Sequence, residues 1–223
     1  MPDNDLIIKT EEYLKRTFAS SQTAYWAEHP EAKDYRLEHT YRVANIGRQI
    51  AEKEGFDATL MVIACLLHDI SYCEEFAENE WQEHGRRSAR IARPFLRGIG
   101  LTEAQVNEIC FGIAIHVDDK ADFEGERTPL ALSVIDADNI DRFDVYRIHE
   151  GLSADRFLEM SYEEKKDYAV RRLARLRELL EIPMATATAN ELWRSRLSFY
   201  IEFYEKLVDQ LEFSKSIRTD LHI

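Results

Sequence analysis

The sequence predicts an all-α fold, a helical bundle extended by further helices toward its C-terminal end. Three observations carry that reading. Glycine and proline, the strongest chain breakers, number only 8 and 5 in 223 residues. Apolar residues recur at three- and four-residue spacing, while the period-two alternation of strands is almost absent. Capping signals also fall at the intervals that helices of ordinary length require.

Taken in order, the periodicity places helices at about 3–27, 35–54, 57–70, 82–99, 103–117, 129–147, 162–181 and 189–213. Gly55 and Gly100 follow helical stretches as C-terminal caps. Thr102 with Gln105, Ser161 with Glu164, and Thr188 with Glu191 each have the spacing of a capping box, in which side chain and backbone satisfy each other. The polar run DDKADFEGERT (118–128) reads as a long loop, and IPMATATA (182–189) as a weaker break before the last helix. One domain is expected over 1–223, with a motif-bearing core at about 33–144 and a helical extension over 145–223. The last two helices are candidates for a lid or a homodimer surface.

Composition narrows the function. With 45% hydrophobic and 32% charged residues the chain reads as a soluble globular protein, and no apolar run reaches the ~18 residues of a membrane span. The first residues, MPDNDLIIKTEEYLKR, lack the basic and apolar segments of a secretory leader. Cys65, Cys73 and Cys110 form no C-x-x-C pair and suit a reducing cytoplasm. A formal charge of −13 argues against nucleic acid as the main partner. The mixed-charge helix RRLARLRELLEI (171–182) has too much acid nearby for a membrane surface. A small phosphate ester stays open, because a bound cation reverses the local field.

Five polar residues extend apolar stripes. His39 begins a stripe continued by Val43, Ile46 and Ile50; His68 ends one of Met61 and Ala64; His84 leads Ser88, Ile91 and Phe95; His116 ends Ile109, Gly112 and Ile113; Asp138 follows Leu130 and Val134, with Asp141 beyond it. Residues at these offsets share a helix face, so each polar group points with the apolar ones, toward the interior where helical proteins assemble metal sites. Any one of these histidines alone reads more readily as a hydrogen-bonded core residue. Asp69 is harder to explain that way, because a carboxylate straight after the apolar run VIACLLH is costly to bury without a cation. His29 reads as a loop residue, His149 as a solvent-exposed residue toward the cleft mouth, and His222 as part of a terminal tail.

The string LEHTYRV around His39, ACLLHDI around His68 and Asp69, and the later VIDADNID resemble the HD-domain superfamily of metal-dependent phosphohydrolases, over about Lys33 to Asp144. The resemblance implies an all-α bundle, with His39, His68, Asp69 and a later aspartate as metal ligands. Asp136 and Asp138 compete for the last place; the family pattern favours Asp138, which leaves Asp136 as a supporting or surface residue. Some members add two histidines and a second metal, and His84 and His116 occupy the corresponding stretches.

The expected cofactor is therefore one or two divalent transition-metal ions (Mn, Fe, Co, Ni or Zn), with Asp69 as the catalytic bridge between two. The implied reaction is attack by metal-activated water on a phosphoester or pyrophosphate bond of a nucleotide-like molecule. Arg42, Arg86 and Lys120 are the candidate substrate-binding cations, with Arg87 and Asp119 close by. Two alternatives use the same residues: a di-iron oxygenase and a non-catalytic nucleotide-binding sensor.

Overall fold

The computed structural model describes residues 4–78 and 80–215, and among these it contains ten α-helices and no strand. They are α1 (Asn4–Ser20), α2 (Ala24–Glu28), α3 (Pro30–Glu54), α4 (Ala58–Leu67), α5 (His84–Gly98), α6 (Glu103–Ile115), α7 (Pro129–Asp141), α8 (Val145–Ala154), α9 (Tyr162–Leu179) and α10 (Ala187–Phe213). None is long and apolar enough to cross a membrane.

The chain divides into two compact units. Among the described residues, the first lies within 4–141 with 184–189, and the second within 142–183 with 190–215. Helix α4 is the centre of the first unit: every residue from Thr59 to Leu67 is buried, and α1, α3, α6 and α7 pack around it. A helix enclosed on all sides has no polar face to spare, which is why this segment is apolar all round rather than amphipathic. Small residues set the close approaches. A Cβ on Gly47 of α3 would lie 2.6 Å from the Cys65 sulfur of α4, and one on Gly112 of α6 would lie 2.9 Å from the Ala131 carbonyl of α7. The second unit is built on aromatic contacts: Phe143 stands edge-on to Trp193 at 5.1 Å, Tyr168 and Tyr200 flank Tyr204, and the Trp193 indole donates to the Leu179 carbonyl at 3.0 Å.

Local chemistry explains where helices begin and end. Gly55 and Gly100 take left-handed φ values of 79° and 89° after α3 and α5, as their sequence positions required. The capping boxes at Thr102–Gln105 and Ser161–Glu164 both form. The third lands elsewhere. Thr188 lies in the first turn of α10 and gives its N–H to Glu54 at 2.6 Å, while the Thr186 hydroxyl accepts from the Ala189 N–H.

Other boundaries shift for equally local reasons. The long first helix is interrupted after Ser20, and Thr23 caps the separate short α2. Residue 3, its expected start, lies outside the described residues, as does His222. Helix α3 starts at Pro30 rather than 35, because proline in the first turn is preset for helix and lacks an N–H to satisfy. The expected 129–147 helix stops at Asp141, and the Asp144 side chain accepts from the Val145 N–H at 2.8 Å to start α8, an element the periodicity missed. The 118–128 stretch is a loop as expected, held to the bundle by Phe123, whose ring meets Phe111 at 6.2 Å.

Candidate metal centre

The buried ends of five chain segments converge on one carboxylate. Asp69 follows α4 directly, next to His68 at the helix end, where a 3-10 turn over Ile70–Cys73 redirects the chain. Ser71 locks that turn: its N–H donates to the Ser88 hydroxyl at 3.1 Å and its own hydroxyl to the His84 carbonyl at 2.9 Å. His84 opens α5, His116 closes α6, His39 lies within α3 and Asp138 within α7. All six side chains are buried.

Asp69 stands between two histidine pairs. Its Oδ2 lies 3.6 Å from His39 Nε2 and 3.4 Å from His68 Nε2. Its Oδ1 lies 3.4 Å from His84 Nε2 and 3.6 Å from His116 Nε2. Within each pair the two Nε2 atoms are close, 3.3 Å for His39 and His68 and 3.2 Å for His84 and His116. Asp138 belongs to the first pair, with Oδ1 at 3.2 Å from His39 Nε2 and 3.9 Å from His68 Nε2.

The opposite ring nitrogens are all engaged. His68 Nδ1 meets the Cys65 carbonyl at 2.7 Å, His116 Nδ1 the Ile113 carbonyl at 2.7 Å, and His84 Nδ1 the Trp81 carbonyl. His39 Nδ1 meets Asp141 Oδ2 at 2.8 Å. Each Nδ1 is thereby engaged and each Nε2 is aimed inward, the arrangement that orients imidazoles toward a cation. Two Nε2 atoms facing each other at hydrogen-bond distance need a proton or a cation between them. Asp69 Oδ1, buried, has no hydrogen-bond partner. The donor set fits divalent metal: His39, His68, Asp69 and Asp138 on one side, and Asp69, His84 and His116 on the other. The triads His39–His68–Asp69 and Asp69–His84–His116 each bring one ligand atom per residue within 4.8 Å of the others.

The electrostatics of the two pairs differ. Burial disfavours a charged His39, but Asp138, Asp141 and Asp69 override it and raise its pKa to about 9. Burial prevails at His68, which falls to about 4. Burial also lowers His84, whereas the Asp69 carboxylate lifts His116 despite complete burial. Burial would neutralise Asp69, yet the surrounding imidazoles and the Arg36 guanidinium hold it well below the usual carboxylate range.

Asp136, the rival of Asp138, is neither at the centre nor on the surface. It is buried and accepts the Ala185 N–H at 2.7 Å, securing the 184–189 segment. Burial raises its pKa to about 6.

The three expected substrate cations are placed differently. Arg42 forks onto Asp141, with Nε to Oδ1 at 2.8 Å and Nη2 to Oδ2 at 3.2 Å, so it steadies the carboxylate behind His39. Arg86 is buried between Glu83 and Asp118, each at 2.7 Å, and ties the start of the 118–128 loop to α5. Lys120 is 75% exposed and 3.9 Å from Asp118. Arg87 pairs with Glu80, and Asp119 pairs with Arg127.

The cation that does reach the centre is Arg36, whose Nη1 donates to Asp69 Oδ2. The sequence reading missed it. The signal was present, because Arg36 precedes His39 by the same three residues by which Arg42 follows it.

Comparison with known proteins agrees with this geometry. The family model described as HD domain matches residues 36–144. Residues 36–144 are an HD domain. HD domains bind divalent metals and belong to a family of metal-dependent hydrolases. Among solved structures, this HD-domain chain is similar to a predicted HD superfamily hydrolase from an uncultured Thermotogales bacterium, with a TM-score of 0.60 and 20% identity over 94% of this chain and 93% of that one. At that identity the likeness speaks for the fold. A comparison with curated proteins finds no match.

Proposed function

We propose that the protein is a metal-dependent phosphohydrolase that cleaves a phosphoester or pyrophosphate bond of a nucleotide or another small phosphorylated molecule. The observation that carries this reading is the single carboxylate shared between two histidine pairs, with its Oδ1 buried and unpartnered. Bound divalent metal supplies Lewis acidity there, lowering the pKa of water and neutralising charge on a phosphoryl group.

The protein's own contribution is positioning, which is most of what phosphoryl transfer needs. Asp141 and the carbonyls of Cys65, Trp81 and Ile113 hold the four imidazoles in one tautomer and orientation. The short turn at Ile70–Cys73 aims Asp69 at both pairs. The buried wall of α4 keeps water away from the rear of the centre, so charge interactions at its face are weakly screened.

The test is direct. Purified protein is loaded with Mn²⁺, Co²⁺ or Ni²⁺ and screened against nucleotides and other phosphate esters for release of phosphate or pyrophosphate. Turnover that His68→Ala and Asp69→Ala both abolish supports the proposal. Bound metal without turnover across a broad panel overturns it. The same four-histidine, two-aspartate set also suits a pair of irons that activate O₂. Iron content of the protein as isolated, with oxygen consumption, separates that chemistry from hydrolysis.

A further inference from the structure

Arg36 is the one side chain at the centre whose role neither the ligand set nor the proposed reaction accounts for. Its Nη1 donates to Asp69 Oδ2, the same oxygen that faces His39 and His68 at 3.6 and 3.4 Å. The guanidinium carbon lies over the Tyr72 ring, 3.7 Å from its centroid, and over the Tyr35 ring, 5.9 Å from its centroid. Only 21% of the side chain is exposed. Two aromatic faces and a buried carboxylate therefore hold it in place, which is not the setting of a loosely solvated arginine.

An ion between His39 and His68 needs the oxygen that Arg36 holds. The histidines can adapt to that ion by giving up a proton. Arg36 cannot, because a guanidinium stays charged in a protein. We propose that Arg36 is a built-in counter-cation for Asp69: it keeps the carboxylate oriented and neutralised in the metal-free protein, and by like-charge repulsion it weakens the affinity of the His39–His68–Asp138 half for its ion. It is thus a positioning residue that sets how tightly the centre holds metal, which makes that ion exchangeable. This role concerns metal affinity and stands whether or not the substrate is a phosphate ester.

The test compares wild type with Arg36→Gln, Arg36→Met and Arg36→Lys. Zn²⁺ and Mn²⁺ affinities are measured by calorimetry or competition with a chelating dye, and melting is followed with and without metal. Arg36→Gln and Arg36→Met remove the charge, and methionine keeps an apolar stem against Tyr72. Both should bind the tightest ion about tenfold more strongly or better, since a unit charge within a few ångströms is removed from a poorly screened site. Both should melt lower without metal and gain more on loading than wild type. Arg36→Lys keeps the charge and should stay within about threefold of wild-type affinity.

A purely structural role predicts the opposite, weaker metal binding in every variant. Unchanged or weakened affinity in folded Arg36→Gln and Arg36→Met overturns the proposal. If both neutral variants are folded only with metal, the tighter coupling of folding to metal supports it. Failure of turnover with this affinity pattern intact would count against the phosphohydrolase reading alone.

Discussion

The two halves of the centre share Asp69 but differ in what else surrounds them. The His39–His68 half adds Asp138 as a carboxylate neighbour and has Asp141 and Arg42 behind His39. The His84–His116 half has only Asp69, with backbone carbonyls behind both rings. Beyond the shared Asp69, one half adds a second carboxylate and has the Arg36 guanidinium against its side of Asp69, whereas the other adds only imidazoles. The expected order of affinity therefore puts the tighter ion with His39 and His68, weakened but not reversed by Arg36, and the weaker one with His84 and His116. The sequence already set His39, His68, Asp69 and Asp138 apart from the added His84 and His116; which side chain stands behind which ring comes from the structure.

The largest expected effect removes the residue common to both. Asp69→Ala should abolish binding of both ions and lower activity by about a thousandfold or more, checked by metal analysis and turnover. Next come substitutions that touch one half. His84→Ala and His116→Ala should leave one ion per chain by mass spectrometry or metal analysis, while Asp138→Ala should weaken the tighter ion. Loss of all metal in His84→Ala would show that the two halves bind as one unit and break the comparison.

A smaller effect is expected one shell out. Asp141→Asn leaves every ligand in place but weakens the group that orients His39, so metal affinity should fall about ten- to a hundredfold. An equal loss in a variant that disturbs the carbonyl contact of His84 would mean the halves are not distinguished by their support.

Protons sharpen the same contrast. His39, raised to about 9, is protonated at pH 7, whereas His68, lowered to about 4, is not. Filling the first half at pH 7 should therefore displace about one proton from His39 and none from His68, measured by calorimetry in buffers of different ionisation enthalpy. The raised pKa also has a sign for the metal-free fold. The stability it contributes is fully present below about 6.5 and is lost as pH rises through 9.

Asp136 gives a modest effect away from the ions. Its folded pKa of about 6 exceeds the ordinary 3.8, so the stability tied to the neutral acid is present below 3.8 and lost as pH rises through 6. Asp136→Asn should stabilise the protein by about 1–2 kcal/mol at pH 8 and by much less at pH 4, read from urea unfolding. The smallest effect belongs to Lys120→Ala: with its side chain 75% exposed, kcat/KM should change by less than about twofold.

Helical identity was largely legible along the chain, because spacing and capping are local properties. Thr102 and Ser161 capped where the pattern required them. Thr188 did not, because a partner 134 residues away, Glu54, took its N–H. The aspartates show the same limit. Asp136 and Asp138 are chemically identical and two residues apart, so the helix turns them to different sides; the structure shows which side is which, with Asp138 facing His39 and Asp136 the Ala185 N–H. The arginines were the hardest: Arg42 and Arg36 flank His39 symmetrically in sequence, yet one faces Asp141 and the other Asp69.

By itself the sequence determined an all-α chain and inward stripes that carry four histidines and Asp138, since these follow from periodicity; the resemblance to the HD family singled out those residues with Asp69 as candidate ligands. The tertiary structure decided the rest: that Asp69 stands between two histidine pairs, that the pairs have unequal surroundings, and that Arg36 rather than Arg42, Arg86 or Lys120 reaches Asp69. Those outcomes depend on distances between segments remote in the chain. A carboxylate's partner is settled by whichever charge lies within a few ångströms, and no spacing along one helix encodes that.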